Sequence, residues 1–272
     1  MENDIVDIFI KSIEKRKTDF FSTGFEELDI FCKFLEGGNV MIIGGRPAMG
    51  KTNFALSIVN HLLDIKKSVM FISMEMSAER LVQRLVSEKL NIPIHNLLTG
   101  DFRKEEIEKA LIDYNDKNLY INDKISVTLD DLENDIRESK PDVVFIDYIQ
   151  MLEAPKAPKA PNLTEATNLA IKEVKRMAVE NNVIVVLLSQ LSRAVEGRFD
   201  KRPLLSDLRN GSLLEELSDV VLMLYREEYY NPEPEYPSNE IIIEKNSMGP
   251  TGIINLDFKN GFFRNQPCTS TF

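Results

Sequence analysis

Val40-Met41-Ile42-Ile43-Gly44-Gly45-Arg46-Pro47-Ala48-Met49-Gly50-Lys51-Thr52 sets a short apolar run against a glycine-bounded loop that closes on Lys-Thr. Residues 45–52 match the pattern G-x-x-x-x-G-K-[ST], in which glycines let the backbone curl so that successive N–H groups face phosphate oxygens. In that pattern Lys51 reaches the β and γ oxygens and Thr52 offers a hydroxyl to Mg2+. The residues that follow, Asn53-Phe54-Ala55-Leu56-Ser57-Ile58-Val59, read as a helix whose N-terminus adds partial positive charge beside the phosphates. Gly45, Arg46, Pro47, Ala48, Met49, Gly50, Lys51, Thr52 and Asn53 are therefore the candidate nucleotide-binding residues, with ATP and Mg2+ as the ligands.

Outward from this loop the pattern alternates strand and helix, which favours a mostly parallel, twisted sheet flanked by helices. Strands are expected at 39–44, 68–74, 143–147, 183–189 and 220–225. Thr128-Leu129-Asp130-Asp131 caps one intervening helix, and another spans 164–181. Residues 240–244, the turn Gly249-Pro250-Thr251-Gly252 and residues 253–258 read as a strand-turn-strand unit, an antiparallel hairpin at the sheet edge. Residues 3–17 form an amphipathic stripe through Ile5, Ile8, Phe9 and Ile13, separated from the first core strand by a short connection. The Pro-rich repeat at 154–161 is stiff and extended; it is either a solvated spacer or a place where its lysines meet a polyanion.

With 272 residues, 43% of them hydrophobic, the chain can bury one large core. No apolar run approaches the ~20 residues needed to span a bilayer, and the acidic N-terminus lacks a secretory apolar region, so a soluble cytoplasmic protein without membrane contact is expected. Cys32 and Cys268 make no disulfide framework or metal cluster, and His61 and His95 stand alone on helix-like segments. A net charge of −11 argues against a broad basic face, so any contact with nucleic acid must be concentrated on particular loops.

A phosphate loop needs a carboxylate for its metal. Val143-Val144-Phe145-Ile146-Asp147 supplies one at the end of an apolar strand, with Thr52 and Asp147 as the metal pair. Hydrolysis also needs a group to polarise the attacking water, and Val69-Met70-Phe71-Ile72-Ser73-Met74 leads to Glu75. Glu75 is equally readable as an acidic residue opening a helix.

A resemblance settles much of this choice. Beside the phosphate loop, Ser73-Met74-Glu75-Met76-Ser77-Ala78-Glu79, Ile146-Asp147-Tyr148-Ile149-Gln150 and Leu188-Ser189-Gln190-Leu191-Ser192-Arg193 resemble successive motifs of DnaB-type replicative helicases. So do Asp200-Lys201-Arg202-Pro203, Ser206-Asp207-Leu208-Arg209 and Leu224-Tyr225-Arg226-Glu227-Glu228-Tyr229-Tyr230, in the same order. The resemblance implies a RecA-like ATPase domain at 19–272 and, at 1–18, a linker helix that docks on a neighbouring subunit. It further implies a hexameric ring in DNA replication, coupling ATP hydrolysis to 5′ to 3′ movement on single-stranded DNA, with a helicase loader among its partners. By position, Glu75 resembles the catalytic carboxylate, Lys51 and Thr52 the phosphate and metal groups, and Asp147 the second metal group. Gln190 resembles a γ-phosphate sensor, for which an amide suits because it donates and accepts at once; it is alternatively a strand-end residue bonded to a loop. The channel loop that grips DNA matches Arg209, Asn210, Gly211 and Ser212. Lys201 and Arg202 either add to it or form a solvated charge pair. Arg226 either approaches the base or phosphates or forms a surface ion pair.

Three departures stand out. Lys245 matches the first of two basic residues that reach the ATP of an adjacent subunit, but Ser247 stands where the arginine finger is expected, and serine cannot replace a planar cation. The channel loop reads Asn210-Gly211-Ser212 rather than acidic-Ser-Gly. A stand-alone motor without the family's N-terminal collar domain is the expectation. The competing reading is a regulatory or loader-like relative that binds nucleotide and joins a helicase ring without unwinding.

Overall fold

Val40–Gly45 forms β1 and is buried at all six positions, as a continuous apolar run requires of a strand covered on both faces. The computed structural model describes residues 21–33, 35–115, 118–152, 163–209, 211–235 and 237–266. The amphipathic segment at 1–18 and the Pro-rich repeat at 154–161 lie outside the described residues, as do Cys268 and Asn210.

Among the described residues, eight strands form one sheet centred on β1. On one side lie β5 (Ile184–Gln190), β4 (Val143–Asp147), β2 (Val69–Ser73) and β3 (Leu119–Asn122), and on the other β6 (Val220–Arg226), all parallel. Beyond β6, β7 (Asn239–Asn246) and β8 (Gly252–Asn255) run antiparallel at the edge. The helices are α1 (Glu26–Cys32), α2 (Lys51–Asp64), α3 (Ala78–Leu90), α4 (Ile94–Thr99), α5 (Lys104–Asn115), α6 (Leu129–Ser139), α7 (Leu163–Asn181), α8 (Gly211–Leu217) and α9 (Glu227–Tyr230). This is the RecA-like α/β architecture expected, with the edge hairpin in place.

The two-residue period of the strands sorts their side chains into two cores. Met41 and Ile43 pack with Phe54, Ile58, Phe71, Phe145 and Val186, under α2. Val40 and Ile42 pack with Met70, Ile72, Val144, Ile171 and Val174, against α7. The sheet is thereby fixed between helical layers, and the C-terminal ends of β1, β2, β4 and β5 are brought side by side. The cap of α6 is as read: Thr128 Oγ1 accepts from Asp131 N at 3.1 Å, and Asp131 Oδ2 accepts from Thr128 N at 3.3 Å.

Two features differ from expectation. The short edge strand β3 is absent from the sequence reading, because four residues with a single neighbour carry little periodic signal. Residues 253–258 are not one strand: Leu256 turns into the core, its N–H bonded to Asn239 O at 2.9 Å, and the chain restarts as β9 (Asp257–Lys259). β9 pairs with β10 (Phe262–Arg264) across Asn260-Gly261, whose φ values of 55° and 89° are those of a tight hairpin turn. Cys32 is buried, which pushes its thiol up to about 12, so it is a packed, unreactive group. Among the described residues, no helix is long and apolar enough to cross a membrane.

Candidate active site

The phosphate loop leaves β1 at Gly45 and re-enters helix at Lys51, with Gly50 at φ 96° as the N-cap. A side chain at Gly50 would also meet Phe263 at 3.3 Å and Phe258 at 3.5 Å, so the β9–β10 hairpin closes one flank of the loop. Phe263 in turn meets Phe54 edge-on, ring centroids 5.4 Å apart, and anchors that hairpin to α2. Lys51 Nζ donates to Gly45 O at 3.0 Å and Arg46 O at 3.4 Å. Burial holds its pKa below the ordinary lysine range, opposed by the charges of Asp147 and Glu75.

Asp147 ends β4 beside Ser73 of β2 and is buried. Thr52 Oγ1 donates to its Oδ2 at 2.6 Å. Desolvation raises Asp147 to about 6, against the lowering influence of the Thr52 hydrogen bond and the Lys51 charge. A hydroxyl and a buried carboxylate in contact, both hard oxygen donors, fit a Mg2+ that keeps several waters and takes few protein ligands. The structure thus brings Thr52 and Asp147, named together from the sequence, into direct contact.

Glu75 lies two residues beyond β2 on a turn held by Ser73, whose Oγ donates to Met76 O at 2.6 Å and accepts from Met76 N at 3.2 Å. The turn leaves the Glu75 carboxylate exposed, while its charge acts on Lys51, Asp147 and the Tyr148 phenol. Tyr148 is raised by burial, then by Glu75 and Asp147, and lowered by Arg209, which sets Arg209 and both carboxylates around one phenol. Gln190, at the end of β5, sits in register with Gly45. Beside it, Gln150 Nε2 donates to Ser189 Oγ at 2.9 Å, and the buried Gln150 Oε1 has no protein partner among the described residues.

Several predicted site residues are committed elsewhere. Asn53 Nδ2 donates to Gly261 O at 2.7 Å and its Oδ1 accepts from Arg84 Nη1 at 2.5 Å, so the amide joins hairpin to α3 instead of facing phosphate. The Arg46 side chain turns away from the loop onto Glu196 and Leu191 O. Arg202 forks onto the buried Glu240, Nε to Oε2 at 2.7 Å and Nη2 to Oε1 at 2.6 Å, and lies over the Tyr225 ring, so its guanidinium is paired within the chain. Lys201 Nζ donates to Glu196 O at 2.6 Å and also to Arg198 O. Lys245 Nζ donates to Glu215 O and Ser218 O at 2.5 and 2.6 Å, where a cation complements the C-terminal carbonyls of α8. Arg209 and Ser212 are exposed, and Gly211 opens α8.

Arg226 stacks on Phe258, its guanidinium carbon 3.5 Å from the ring centroid, with a 3.9 Å ion pair to Glu228. Phe258 and Arg84 escaped the sequence reading. The Asn-Gly turn beside Phe258 was a usable signal for the first; Arg84, whose charge acts on Asp147, sits mid-helix with no motif to mark it.

A cavity of about 460 Å3 opens at the other end of the sheet, lined by Leu62, Lys67, Lys140, Asp142 and Asn182, and none of the predicted site residues reaches it.

A family model described as DnaB-like helicase C terminal domain matches residues 21–266. The chain belongs to the DnaB-like helicase C-terminal domain family. It is 35% identical over 260 residues to the replicative DNA helicase DnaC of Bacillus subtilis (strain 168), covering 92% of this chain and 57% of that protein. It is 37% identical over 262 residues to a probable plasmid replicative DNA helicase of Chlamydia psittaci, covering 93% and 55%. One solved structure, of an ATPase domain alone, superposes with a TM-score of 0.89 at 33% identity, covering 98% of this chain and all of that one. A DnaB-like replicative helicase, described with its interactions with primase, gives the same TM-score and identity and covers 98% and 69%. The chain spans about half the length of the curated relatives it matches.

Proposed function

We propose that this chain is an ATP-hydrolysing DNA helicase motor of DnaB type, acting in replication in the cytoplasm and moving 5′ to 3′ on single-stranded DNA as a homo-hexamer or within a helicase ring. The observation that carries the reading is the convergence of Lys51, Thr52, Asp147, Glu75 and Gln190 at the C-terminal ends of four adjacent parallel strands. Lys51 neutralises charge on the β and γ oxygens, and Thr52 with Asp147 would hold Mg2+. A bound Mg2+ would supply further neutralisation of the phosphate charge. The Glu75 carboxylate orients the attacking water and accepts its proton as the bond to the leaving phosphate breaks. Gln190 senses the γ-phosphate and transmits its state to the loop that follows β5. The Arg226–Phe258 stack, flanking Gly50, offers a planar surface for the base.

In this reading residues 19–272 are the ATPase domain and residues 1–18 a linker helix that docks on the next subunit. Arg209, Asn210, Gly211 and Ser212 grip the DNA backbone, and Lys245 approaches the neighbour's nucleotide after leaving α8. A helicase loader is a further expected partner.

Ser247, exposed at the expected finger position, favours a second reading: a regulatory or loader-like relative with weak hydrolysis. ATPase assays with and without single-stranded DNA, paired with mass measurement in nucleotide, separate the two. DNA-stimulated hydrolysis by a hexamer supports the motor. A monomer that binds nucleotide, ignores DNA and holds a helicase ring sinks it.

A further inference from the structure

Phe199 is fully exposed in water, forgoing the stabilisation that burial of a phenyl ring brings. The segment that carries it is firmly held. Arg198 forks onto the buried Asp207, Nη1 to Oδ1 at 3.2 Å and Nη2 to Oδ2 at 2.6 Å, and donates to Arg202 O at 2.8 Å. Lys201 bonds back to Glu196 O and Arg202 to Glu240. At the base, Ser192 N donates to Asp207 O at 2.7 Å and Leu191 pairs with Leu208. Arg46 ties Glu196 to the phosphate loop. The long side chains on either side of Phe199 thus turn inward, and the ring turns out.

Charge points to the ring's partner. Arg193 and Arg209, on the two stems of this loop, are exposed and make no ion pair among the described residues, in a chain whose net charge is −11. Exposed cations on the stems and an aromatic ring at the tip are the elements of a single-strand site: cations meet phosphates and the ring meets a base. A second copy of the chain is the poorer occupant, because the sequence neighbours of Phe199 are Arg198, Asp200 and Lys201, which offer no apolar patch to extend.

We propose that Phe199 stacks on a base of single-stranded DNA, presented by loop 192–208 as a pre-formed platform anchored on the phosphate loop. The proposal rests on the motor reading above and adds to it a base contact that is separate from the backbone grip at Arg209. Stacking accepts every base, which suits a contact that must be made and released along a strand.

The chain contains no tryptophan, so Phe199→Trp creates a sole tryptophan, whose emission is excited selectively over that of the tyrosines. A thymidine oligomer is expected to quench its emission, while an abasic oligomer of equal length and charge leaves it unchanged. Phe199→Ala is expected to weaken binding of the thymidine oligomer by roughly 5- to 150-fold without altering the salt dependence, since no phosphate contact is lost. If the wild-type chain binds the oligomer by anisotropy while the tryptophan emission stays constant at saturation and Phe199→Ala binds equally well, the stacking contact is overturned and the motor reading stands. Emission that changes on nucleotide-driven self-association without DNA assigns the ring to a contact between copies and also overturns it. A wild-type chain that fails to bind the oligomer with nucleotide present removes both the motor reading and this contact.

Discussion

Arg46 and Glu196 join the phosphate loop to the segment after β5: Nη2 and Nε of the buried arginine both reach Glu196 Oε1, at 2.5 and 3.0 Å, and Nη1 donates to Leu191 O at 2.9 Å. A displacement of the loop backbone is therefore felt directly by the segment that leads to Arg209. Glu196→Gln keeps the shape and removes the charge. It is expected to lower stability by no more than about 1 kcal/mol, because the glutamate is half exposed. Its larger effect is on coupling. Basal hydrolysis should stay within about two-fold of wild type while stimulation by single-stranded DNA falls about five-fold, corresponding to a coupling of about 1 kcal/mol. Equal stimulation in the two proteins would remove the coupling role.

Thr52 and Asp147 set a pH dependence whose two signs oppose each other. Asp147 titrates at about 6 instead of the ordinary 3.8, so its neutral form is favoured in the folded chain. That contribution to stability is complete below about pH 4 and is lost as pH rises through about 6. At about 1.4 kcal/mol per pH unit, keeping this carboxylate ionised costs the fold about 3 kcal/mol at pH 7. Asp147→Asn should therefore melt higher than wild type at pH 7 without nucleotide, by about 1–3 kcal/mol, and lose most of the slope between pH 4 and 6. Metal binding needs the ionised form, so wild-type kcat/KM should fall as pH drops below about 6.

Arg202 and Arg209 should separate cleanly although both stand in basic motifs. Arg202→Ala leaves the buried Glu240 without its fork, and a loss of about 1–2 kcal/mol in thermal or denaturant unfolding is expected, with little change in DNA affinity. Arg209→Ala should leave stability untouched and weaken DNA binding, with the salt slope reduced by about 0.7. The reverse pattern would place the DNA grip on the wrong loop.

Ser247→Arg tests the finger position. A trans-acting arginine contributes on the order of 10³ to 10⁵ in related phosphoryl-transfer sites, so even imperfect placement should raise turnover at least about ten-fold in the assembled protein. Wild-type turnover already at the level of a full-length family helicase, with no gain in the variant, would mean that another cation does this work.

The parts legible in the sequence are those whose signal is local. The apolar run, the two glycines and Lys-Thr sit within thirteen consecutive residues, and Asp147 announces itself at the end of its own strand. The Asn260-Gly261 turn was equally local, yet the run at 253–258 masked the break at Leu256. What escaped is ionic and distant. Arg46 and Glu196 are 150 residues apart, Arg202 and Glu240 38, and a count of charges gives no hint that these pairs close. Lys245 illustrates the same limit, since its place on the last carbonyls of α8 depends on how β7 runs past that helix. Motif spacing therefore locates the chemistry of the strand ends well and the commitments of long cationic side chains poorly.

The most direct test is steady-state ATP hydrolysis by the wild-type chain and by Glu75→Gln, each with Mg2+, with and without a single-stranded oligomer, alongside nucleotide affinity. Glu75→Gln should bind ATP as well as wild type while losing about 10² to 10⁴ in turnover, and DNA should accelerate the wild type alone. Hydrolysis by Glu75→Gln equal to wild type, or a wild type that hydrolyses ATP without any response to DNA, would contradict the assignment of this site to a DNA-driven motor.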